Sequence, residues 1–433
     1  MSSLVVLAAG KGSRMKSDLP KVLHKLMGEP LLEYALETAD RLAPERLVVV
    51  IGHGREKILE QFSDRKFAGN KEITWAVQEE QLGTGHAAKI GIDALDGVQG
   101  SDSVFIVNGD LPFLRAATLQ EMLERHDASS SDVTVLACTK SDPHGFGRII
   151  RNEGEFADIV EEKDADEQTA NIREVNVGTY LVGVDVFNQN YESTDTDNDQ
   201  GERYLTDVVV QACRSGSRVE TVQVADENET AQVNSQAELA TAQRLMKDQL
   251  IVDYLEDGVR IDDPSSTYIE KGAVIASGAR IHPFCVVRAG VQIGPGCEVG
   301  PFAHLRPGTC LEKNAKVGNY VEIKNSRLGP DSKTNHLSYV GDGDVGARVN
   351  IGAGTIFANY DGTNKSQVTV GDDAFIGSGS VLVAPVTIGE SSMTGAGAVV
   401  LKGRNVPDGG VVVGVPAKIH KQDGNGDSGD CQN

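Results

Sequence analysis

Two unlike hydrophobic rhythms divide the 433-residue chain. From Leu4 to about Thr139, short runs rich in Val, Leu and Ile alternate with segments whose apolar residues recur at helical spacing. The runs predict strands at Leu4–Ala8, Leu47–Gly52, Ile73–Gln78, Val104–Val107 and Val133–Thr139. The spaced segments predict helices at Pro30–Leu42, Arg55–Phe62, Gly83–Leu95 and Ala117–His126. Pro30 opens its helix, and Leu31, Leu32, Ala35, Leu36 and Ala39 form one apolar stripe. Such alternation implies an α/β, Rossmann-like domain: a mostly parallel sheet covered by helices on both faces, with ligands at the carboxyl ends of strands. Ser235–Glu256 reads as one further helix, apolar at Leu239, Ala242, Leu245, Leu250 and Tyr254.

From Ile275 the period becomes six. Apolar residues fall at Ile275, Ile281, Val287, Ile293, Val299, Leu305, Leu311, Val317 and Ile323. The register resumes at Val345, Ile351 and Phe357, and again at Val370, Ile376, Leu382 and Ile388. It fails at Thr394 and returns at Val400. A period of six predicts a parallel β-helix of triangular coils that bury their faces by stacking. Small residues two positions earlier (Ala279, Cys285, Cys297, Ala303, Ala315) fit its corners. The expected organisation is therefore residues 1–232 as the α/β domain, 233–258 as a stiff linker helix, 259–420 as the β-helix and 421–433 as a disordered tail. The acidic stretch Tyr191–Gln200 reads as a mobile loop.

Composition narrows the partners. The 48 Gly and single Trp suit a turn-rich repeat, and the net charge of −22 argues against nucleic acid or an anionic membrane. The six Cys (138, 213, 285, 297, 310 and 431) show no metal-binding spacing and read as reduced thiols. With no signal peptide or long apolar run, the expected location is cytoplasmic. In so acidic a chain, clustered cations mark where anionic small molecules bind.

The first such cluster follows the first strand. Leu7-Ala8-Ala9-Gly10-Lys11-Gly12-Ser13-Arg14-Met15, with Pro20-Lys21-Val22-Leu23 behind it, combines small residues, whose N–H groups can approach phosphates, with Lys11, Arg14 and Lys21. No Gly-Lys-Ser/Thr closes it, and Met15 stands where a dinucleotide fingerprint needs a third Gly. The string resembles the signature of sugar-1-phosphate nucleotidylyltransferases. It is most similar to the family of bacterial bifunctional enzymes that acetylate glucosamine-1-phosphate and then uridylylate the product.

The resemblance implies a UTP site made by Leu7, Ala8, Ala9, Gly10 and Lys21, with Arg14 and Lys21 on the triphosphate. Gln78, Gly83 and Thr84 would read the uracil, Thr84 doubling as a helix cap. Asn108, Gly109 and Asp110 end the fourth strand, Asn108 standing where the family commonly has an aromatic. Asp110 and Asn234 would hold Mg²⁺, which takes hard oxygen ligands; the plainer readings are a turn-forming Asp and a helix N-cap. Gly147, Glu161 and Asn176 match the sugar side, and Gly201–Asp207 the segment that closes on the N-acetyl group.

In the second half the register breaks twice, around Asn335-His336-Leu337-Ser338-Tyr339 and at Ala358–Lys365. Interruptions of a regular prism suggest a site. Here the chain resembles the left-handed β-helix acyltransferases, with an opening portion shorter than usual. The resemblance implies that His336 is the base for acetyl transfer from acetyl-CoA. Arg306, Lys324, Tyr339, Asn350 and Lys365 would bind the sugar phosphate, and Asn359, Tyr360, Ser378 and Ala396 the CoA side. Gly414 replaces a frequent Arg, leaving Lys402, Arg404 or Lys418 for the CoA phosphates. It implies a homotrimer with sites between subunits.

The expected function is thus the two-step synthesis of UDP-N-acetylglucosamine from glucosamine-1-phosphate, acetyl-CoA and UTP through N-acetylglucosamine-1-phosphate. The competing readings are a monofunctional uridylyltransferase with a scaffolding β-helix, and a nucleotide-binding scaffold without catalysis.

Overall fold

A computed structural model describes residues 3–194 and 201–421. Most of the expected acidic loop, the tail from Gln422 and Cys431 lie outside the described residues. The chain forms two compact units, Met1–Gln243 and Arg244–Asn433. The helix Gln236–Glu256 spans the division between them.

In the first unit, strand Ser3–Ala8 lies between parallel partners Arg46–Ile51 and Ser103–Asn108. Its side chains alternate between two cores. Leu4, Val6 and Ala8 join Leu32, Leu36 and Ala39, whereas Val5 and Ala9 join Ala87, Ala88 and Ile92. A strand buried on both faces needs the continuous apolar run seen in the sequence. Helices Leu31–Leu42, Arg55–Phe62, Thr84–Asp93 and Ala116–Ser129 stand where expected.

The expectation of a mostly parallel sheet needs correction. Strand Glu174–Gly183 runs antiparallel to both Ser103–Asn108 and Val133–Thr139, and pairs antiparallel with Gly147–Asn152. Gly147–Asn152 turns directly into Glu155–Val160 through Glu153 and Gly154, both at positive φ (51° and 92°). That two-residue turn is of the kind that matches strand twist in a hairpin. The antiparallel half places Gly147, Glu161 and Asn176 at one end of the sheet.

The second unit is a left-handed parallel β-helix of three sheets with ten, eight and seven strands, the last strand of the first sheet being antiparallel. Stacked partners such as Arg280 and Glu298 are 18 positions apart, as three hexads require. The inward residues Ile281, Val287, Val299, Leu305 and Ile323 are fully buried, and so are the corner residues Ala279, Cys285, Cys297 and Ala315.

Two readings of the register are corrected. Thr394 does not break it: the side chain points inward, 1% exposed, with Oγ1 bonded to Ser380 Oγ at 2.8 Å and accepting from Gly377 N at 2.9 Å. A threonine fits because its hydroxyl finds polar partners within the stack. Nor does the earlier break fall on His336, since Thr334 and Val340 are both inward and six apart. It consists instead of two corners each one residue short, at Asn325 (φ 45°) and Asp342 (φ 49°), linked by Asn325 Nδ2 donating to Asp342 Oδ1 at 2.6 Å. Stacked partners there, Lys316 with Lys333 and Lys333 with Asn350, are 17 apart. The second break is an insertion as expected, Asn350 pairing with Phe375 25 positions on.

No helix among the described residues is long and apolar enough to cross a membrane.

The helix Thr84–Asp93 is pressed against the sheet at Gly91, where a Cβ would stand 2.3 Å from Val5 Cγ1 and 2.9 Å from Val50 Cγ2. Alanine normally stabilises a helix over glycine by up to ~1 kcal/mol, whereas overpacking costs ~1–3 kcal/mol. Gly91→Ala is therefore expected to destabilise the first unit, by about 1 kcal/mol in urea denaturation; a gain would show that the contact yields.

Candidate active sites

A cavity of about 420 Å³ opens at the carboxyl ends of Ser3–Ala8 and Ser103–Asn108. Leu7, Ala8, Ala9, Gly10, Arg14, Lys21, Gln78, Gly83, Thr84, Asn108, Asp110 and Asn234 all line it. Gly109 lies just behind, its N–H donating to Leu7 O at 2.9 Å. The loop turns through Gly12 at φ 60° into the short 3-10 helix Ser13–Met15, which carries Arg14. Gln236 Nε2 holds Met15 O at 3.3 Å.

The charged centre of this cavity is Lys21. Its ammonium donates to Asp110 Oδ2 and to Asn234 Oδ1, the latter at 3.0 Å. Asp110 is 5% exposed, and its other oxygen, Oδ1, is buried with no hydrogen-bond partner among the described residues. A buried carboxylate oxygen left bare is costly. One such oxygen beside an amide oxygen is a donor set that suits a hard divalent cation keeping several waters. The N-cap reading of Asn234 is displaced: Ser235 Oγ accepts from Glu238 N at 3.2 Å, and Glu238 Oε2 accepts from Asn234 N at 2.7 Å. This leaves the Asn234 side-chain oxygen to Lys21.

Thr84 does not cap its own helix. Its Oγ1 accepts from Leu205 N at 3.0 Å, at the start of helix Leu205–Arg214. Gly83, at φ 101°, leaves no room for a Cβ, which would meet Arg203 O at 2.4 Å. Residues Glu202–Tyr204 are thereby held against this turn, with Gly85 N donating to Arg203 O at 2.8 Å, Glu202 lining this cavity.

A second cavity of about 480 Å³ shares Arg14, Thr84 and Asn108 with the first and is lined by Gly147, Glu161 and Asn176. At Gly147 a Cβ would press on Ile159 Cγ2 at 3.1 Å, while the Glu161 carboxyl, at 3.6 Å, would be in ordinary contact with it. Burial pushes the Glu161 carboxyl above its usual range, offset in part by the Thr206 hydroxyl at 3.2 Å. Asn176 donates to Tyr180 Oη at 2.6 Å and accepts from Gly178 N at 3.0 Å, so its side chain is held by its own strand.

The β-helix residues fall on two neighbouring features. His336 ends the strand Lys333–His336 at one corner, its ring exposed, with Nδ1 2.7 Å from Asn319 Oδ1. Ala353, Ser378 and Ala396 continue that ridge coil by coil, as Gly379 N donates to Ala353 O and Gly397 N to Ser378 O. Tyr339 stands on the adjoining face, opposite Glu322, which accepts from Arg306 Nη1 at 2.7 Å.

At the far edge of that face, the short corner at Asn325 carries Lys324, and the inserted loop carries Lys365. Lys365 holds the Lys324 ammonium below its usual range through direct contact and like charge, with Arg306 adding to it. Asp342 stays ionised below the ordinary carboxylate range despite desolvation, through Asn325, Asn359 and the two lysines. The loop is pinned by the Tyr360–Lys365 bridge and by Asp361, which accepts from Thr363 N and Asn364 N. Asn350 is not brought to this group: it projects from the face of Lys333 and Phe375, not that of Tyr339.

Comparison with known proteins agrees with both halves. A MobA-like NTP transferase domain matches residues 4–172, and bacterial transferase hexapeptide repeats match residues 272–307, 290–325 and 367–402. The bifunctional protein GlmU of Burkholderia thailandensis is 41% identical over 420 residues, covering 89% of this chain and 90% of the relative. The chain belongs to the GlmU family. GlmU of Pelobacter propionicus is 39% identical over 453 positions and covers 96% of each chain. The expected pairing of nucleotidyl transfer with acyl transfer is thereby borne out.

In this GlmU-family unit, sequence reasoning missed two side chains, Gln81 lining the first cavity and Gln232 the second. Gln81 binds Gln78 O at 3.1 Å, and Gln232 joins Val177 O at 3.1 Å to Asn234 Nδ2 at 3.3 Å. Their only sequence signal is proximity to Gln78 and Asn234.

Because the Glu161 carboxyl is raised in the folded state, its contribution favours the fold in acid and is lost as pH rises through the raised value. Glu161→Gln is expected to melt higher than the parent at about pH 7, the gap closing by about pH 4. Thermal melts across that range check this; a gap independent of pH would show ordinary ionisation.

Proposed function

We propose that the first unit joins UTP to N-acetylglucosamine-1-phosphate, and that the second moves the acetyl group of acetyl-CoA to the amine of glucosamine-1-phosphate, supplying the first with its substrate. The observation that carries this reading is a pair of cation clusters, each set where its fold is interrupted. In an acidic chain such clusters serve anions.

In the nucleotidyl step, a phosphate oxygen of the sugar attacks the α-phosphorus of UTP. The bond to the β-phosphate breaks and pyrophosphate leaves. Leu7–Gly10 and the loop behind them approach the triphosphate with backbone N–H groups. Arg14 and Lys21 neutralise its charge, and Gln78, Gly83 and Thr84 read the base. Gly147, Glu161 and Asn176 seat the sugar beside Asn108 and Gly109. Asp110 and Asn234 are the residues that would hold Mg²⁺, which supplies charge neutralisation at the reacting phosphates. The Lys21 ammonium, paired here with Asp110 and Asn234, would then be available to phosphate.

In the acyl step His336 acts as base. Nδ1, as the N–H donor to Asn319 Oδ1, leaves Nε2 with its lone pair outward to take the proton of the attacking amine. The C–S bond breaks and CoA leaves as thiol. The sugar phosphate relieves the repulsion between Lys324 and Lys365, assisted by Arg306, with Tyr339 on the sugar. Asn359, Tyr360, Ser378 and Ala396 line the CoA side. Lys402, 3.7 Å from Asp361 at the edge of the inserted loop, takes over from the side chain that Gly414 lacks.

The working assembly is a homotrimer. Two features support it: Asn350 lies on a different face from Tyr339, so a neighbouring copy would complete the site. An exposed ridge of Phe284, Phe302 and Tyr320, stacked at 4.8 and 5.1 Å, also offers an apolar surface. The enzyme works in the cytoplasm, where cysteines 138, 213, 285, 297 and 310 stay reduced.

His336→Ala is expected to slow acetyl transfer, followed as free thiol, by about 10²–10⁴-fold while pyrophosphate release from UTP is unchanged. Asp110→Asn is expected to do the reverse. Loss of both activities in either variant would overturn the assignment of independent sites, and no thiol release from the parent protein would leave only nucleotidyl transfer.

A further inference from the structure

Gln78 is 3% exposed and lines the nucleotide cavity directly after strand Thr74–Val77. Its amide could face the cavity with either end, and the two ends read opposite edges of a base. The surroundings fix the choice. Nε2 donates to Gly83 O at 3.1 Å, and a carbonyl oxygen can only accept. The second hydrogen of Nε2 meets His86 Nδ1 at 3.2 Å. With a donor facing it, Nδ1 must present its lone pair, which puts the ring proton on Nε2. Both amide hydrogens are then spent, and among the described residues no donor reaches Oε1. Gln78 offers the cavity an acceptor and nothing else.

We propose that His86 is a positioning residue that locks this orientation of Gln78 and thereby sets the preference for uracil over cytosine. The proposal rests on reading the cavity as a UTP site. Uracil presents an N3–H donor on the edge that faces such an acceptor. Cytosine presents a lone pair at N3, which would oppose Oε1. To accept cytosine the amide must turn over, and the turned oxygen would then face the lone pair of Gly83 O and, with the ring proton on Nε2, that of His86 Nδ1 as well. Gly83 O opposes the flip in either tautomer; His86 adds to the opposition for as long as its proton stays on Nε2.

The position of His86 suits this indirect role. It is the third residue of helix Thr84–Asp93, whose first residue, Thr84, lines the cavity. It does not line the nucleotide cavity. Its ring instead lines a separate cavity of about 300 Å³ with Leu82, Tyr191 and Arg203. The ring thus reaches the nucleotide only through Gln78.

Three proteins, the parent, His86→Ala and His86→Asn, should be compared in pyrophosphate release from UTP and from CTP with N-acetylglucosamine-1-phosphate. The asparagine Oδ1 can occupy the place of Nδ1 as an acceptor. In His86→Ala the UTP-over-CTP ratio of kcat/KM is expected to fall about fivefold to tenfold, as suits the loss of one orienting hydrogen bond. The change should lie in KM, with kcat for UTP within about twofold. His86→Asn should restore most of the ratio. An unchanged ratio in a folded His86→Ala, or an asparagine variant no better than alanine, overturns the proposal. If UTP is neither turned over by the parent protein nor raises its melting temperature, the reading of the cavity as a UTP site falls and takes the proposal with it.

Discussion

The ammonium of Lys21 joins three parts of the first unit that are distant in sequence. Asp110 lies 89 residues away and Asn234 lies 213 away, yet both reach the same nitrogen. One belongs to a strand end, one to the turn before the long helix, and the lysine to the loop that follows the first strand. A cation donating to two oxygen acceptors in a nearly buried place is worth more than a surface pair, because removing it would leave the carboxylate side chain without a partner among the described residues. The bare Oδ1 of Asp110 shows that the compensation is incomplete. The cavity is therefore organised around one ammonium that compensates Asp110 only in part, and the flanking cavity joins it through Arg14, Thr84 and Asn108.

The second unit reaches a comparable arrangement by subtraction. Its coils stack because an inward side chain recurs every six residues, and each ladder hydrogen bond depends on that count. Dropping one residue at Asn325 and another at Asp342 keeps the inward column intact while pulling two corners tight. Both residues adopt positive φ, which Asn and Asp tolerate better than most. The tightened corners bond to each other and bring Lys324 up against the inserted loop and Lys365. Interrupting the repeat thus costs the prism little and sets polar groups at a fixed place on its surface.

Much of this was legible in the sequence because periodicity reports burial directly. Leu4–Ala8 and the nine hexad positions from Ile275 could only be core, and the phosphate loop was marked by small residues between cations. What escaped was decided by pairing rather than pattern. Nothing local in Glu174–Gly183 tells that it runs antiparallel to two neighbours, since strand direction depends on distant connections. Thr394 looked like a failure of register because its hydroxyl is polar, whereas Ser380 and the Gly377 N–H satisfy it inside the stack. The break near His336 was misplaced because a deletion of one residue shifts every later position, and the sequence does not show at which corner the count was lost. Thr84 stands at a helix start, where a hydroxyl commonly caps, but its oxygen serves the backbone of Leu205, 121 residues on.

The two lysines on the β-helix raise the question of why a protein would hold like charges together. Lys365 is exposed and Lys324 half-buried, so water and salt screen them in part and the repulsion is modest. A single exposed lysine would bind a phosphate weakly for the same reason. Two ammoniums and the Arg306 guanidinium held close together would act jointly on an anion without any ordering of long loops. Asp342 tempers the cost by standing beside both lysines while its own oxygens are committed to Asn325 and Asn359. That carboxylate cannot simply swing over and neutralise the pair, because turning away would break two hydrogen bonds that hold the corner and the loop. The two ammoniums stay available because Asp342 beside them is structurally occupied, which leaves a local cationic patch on a chain of net charge −22.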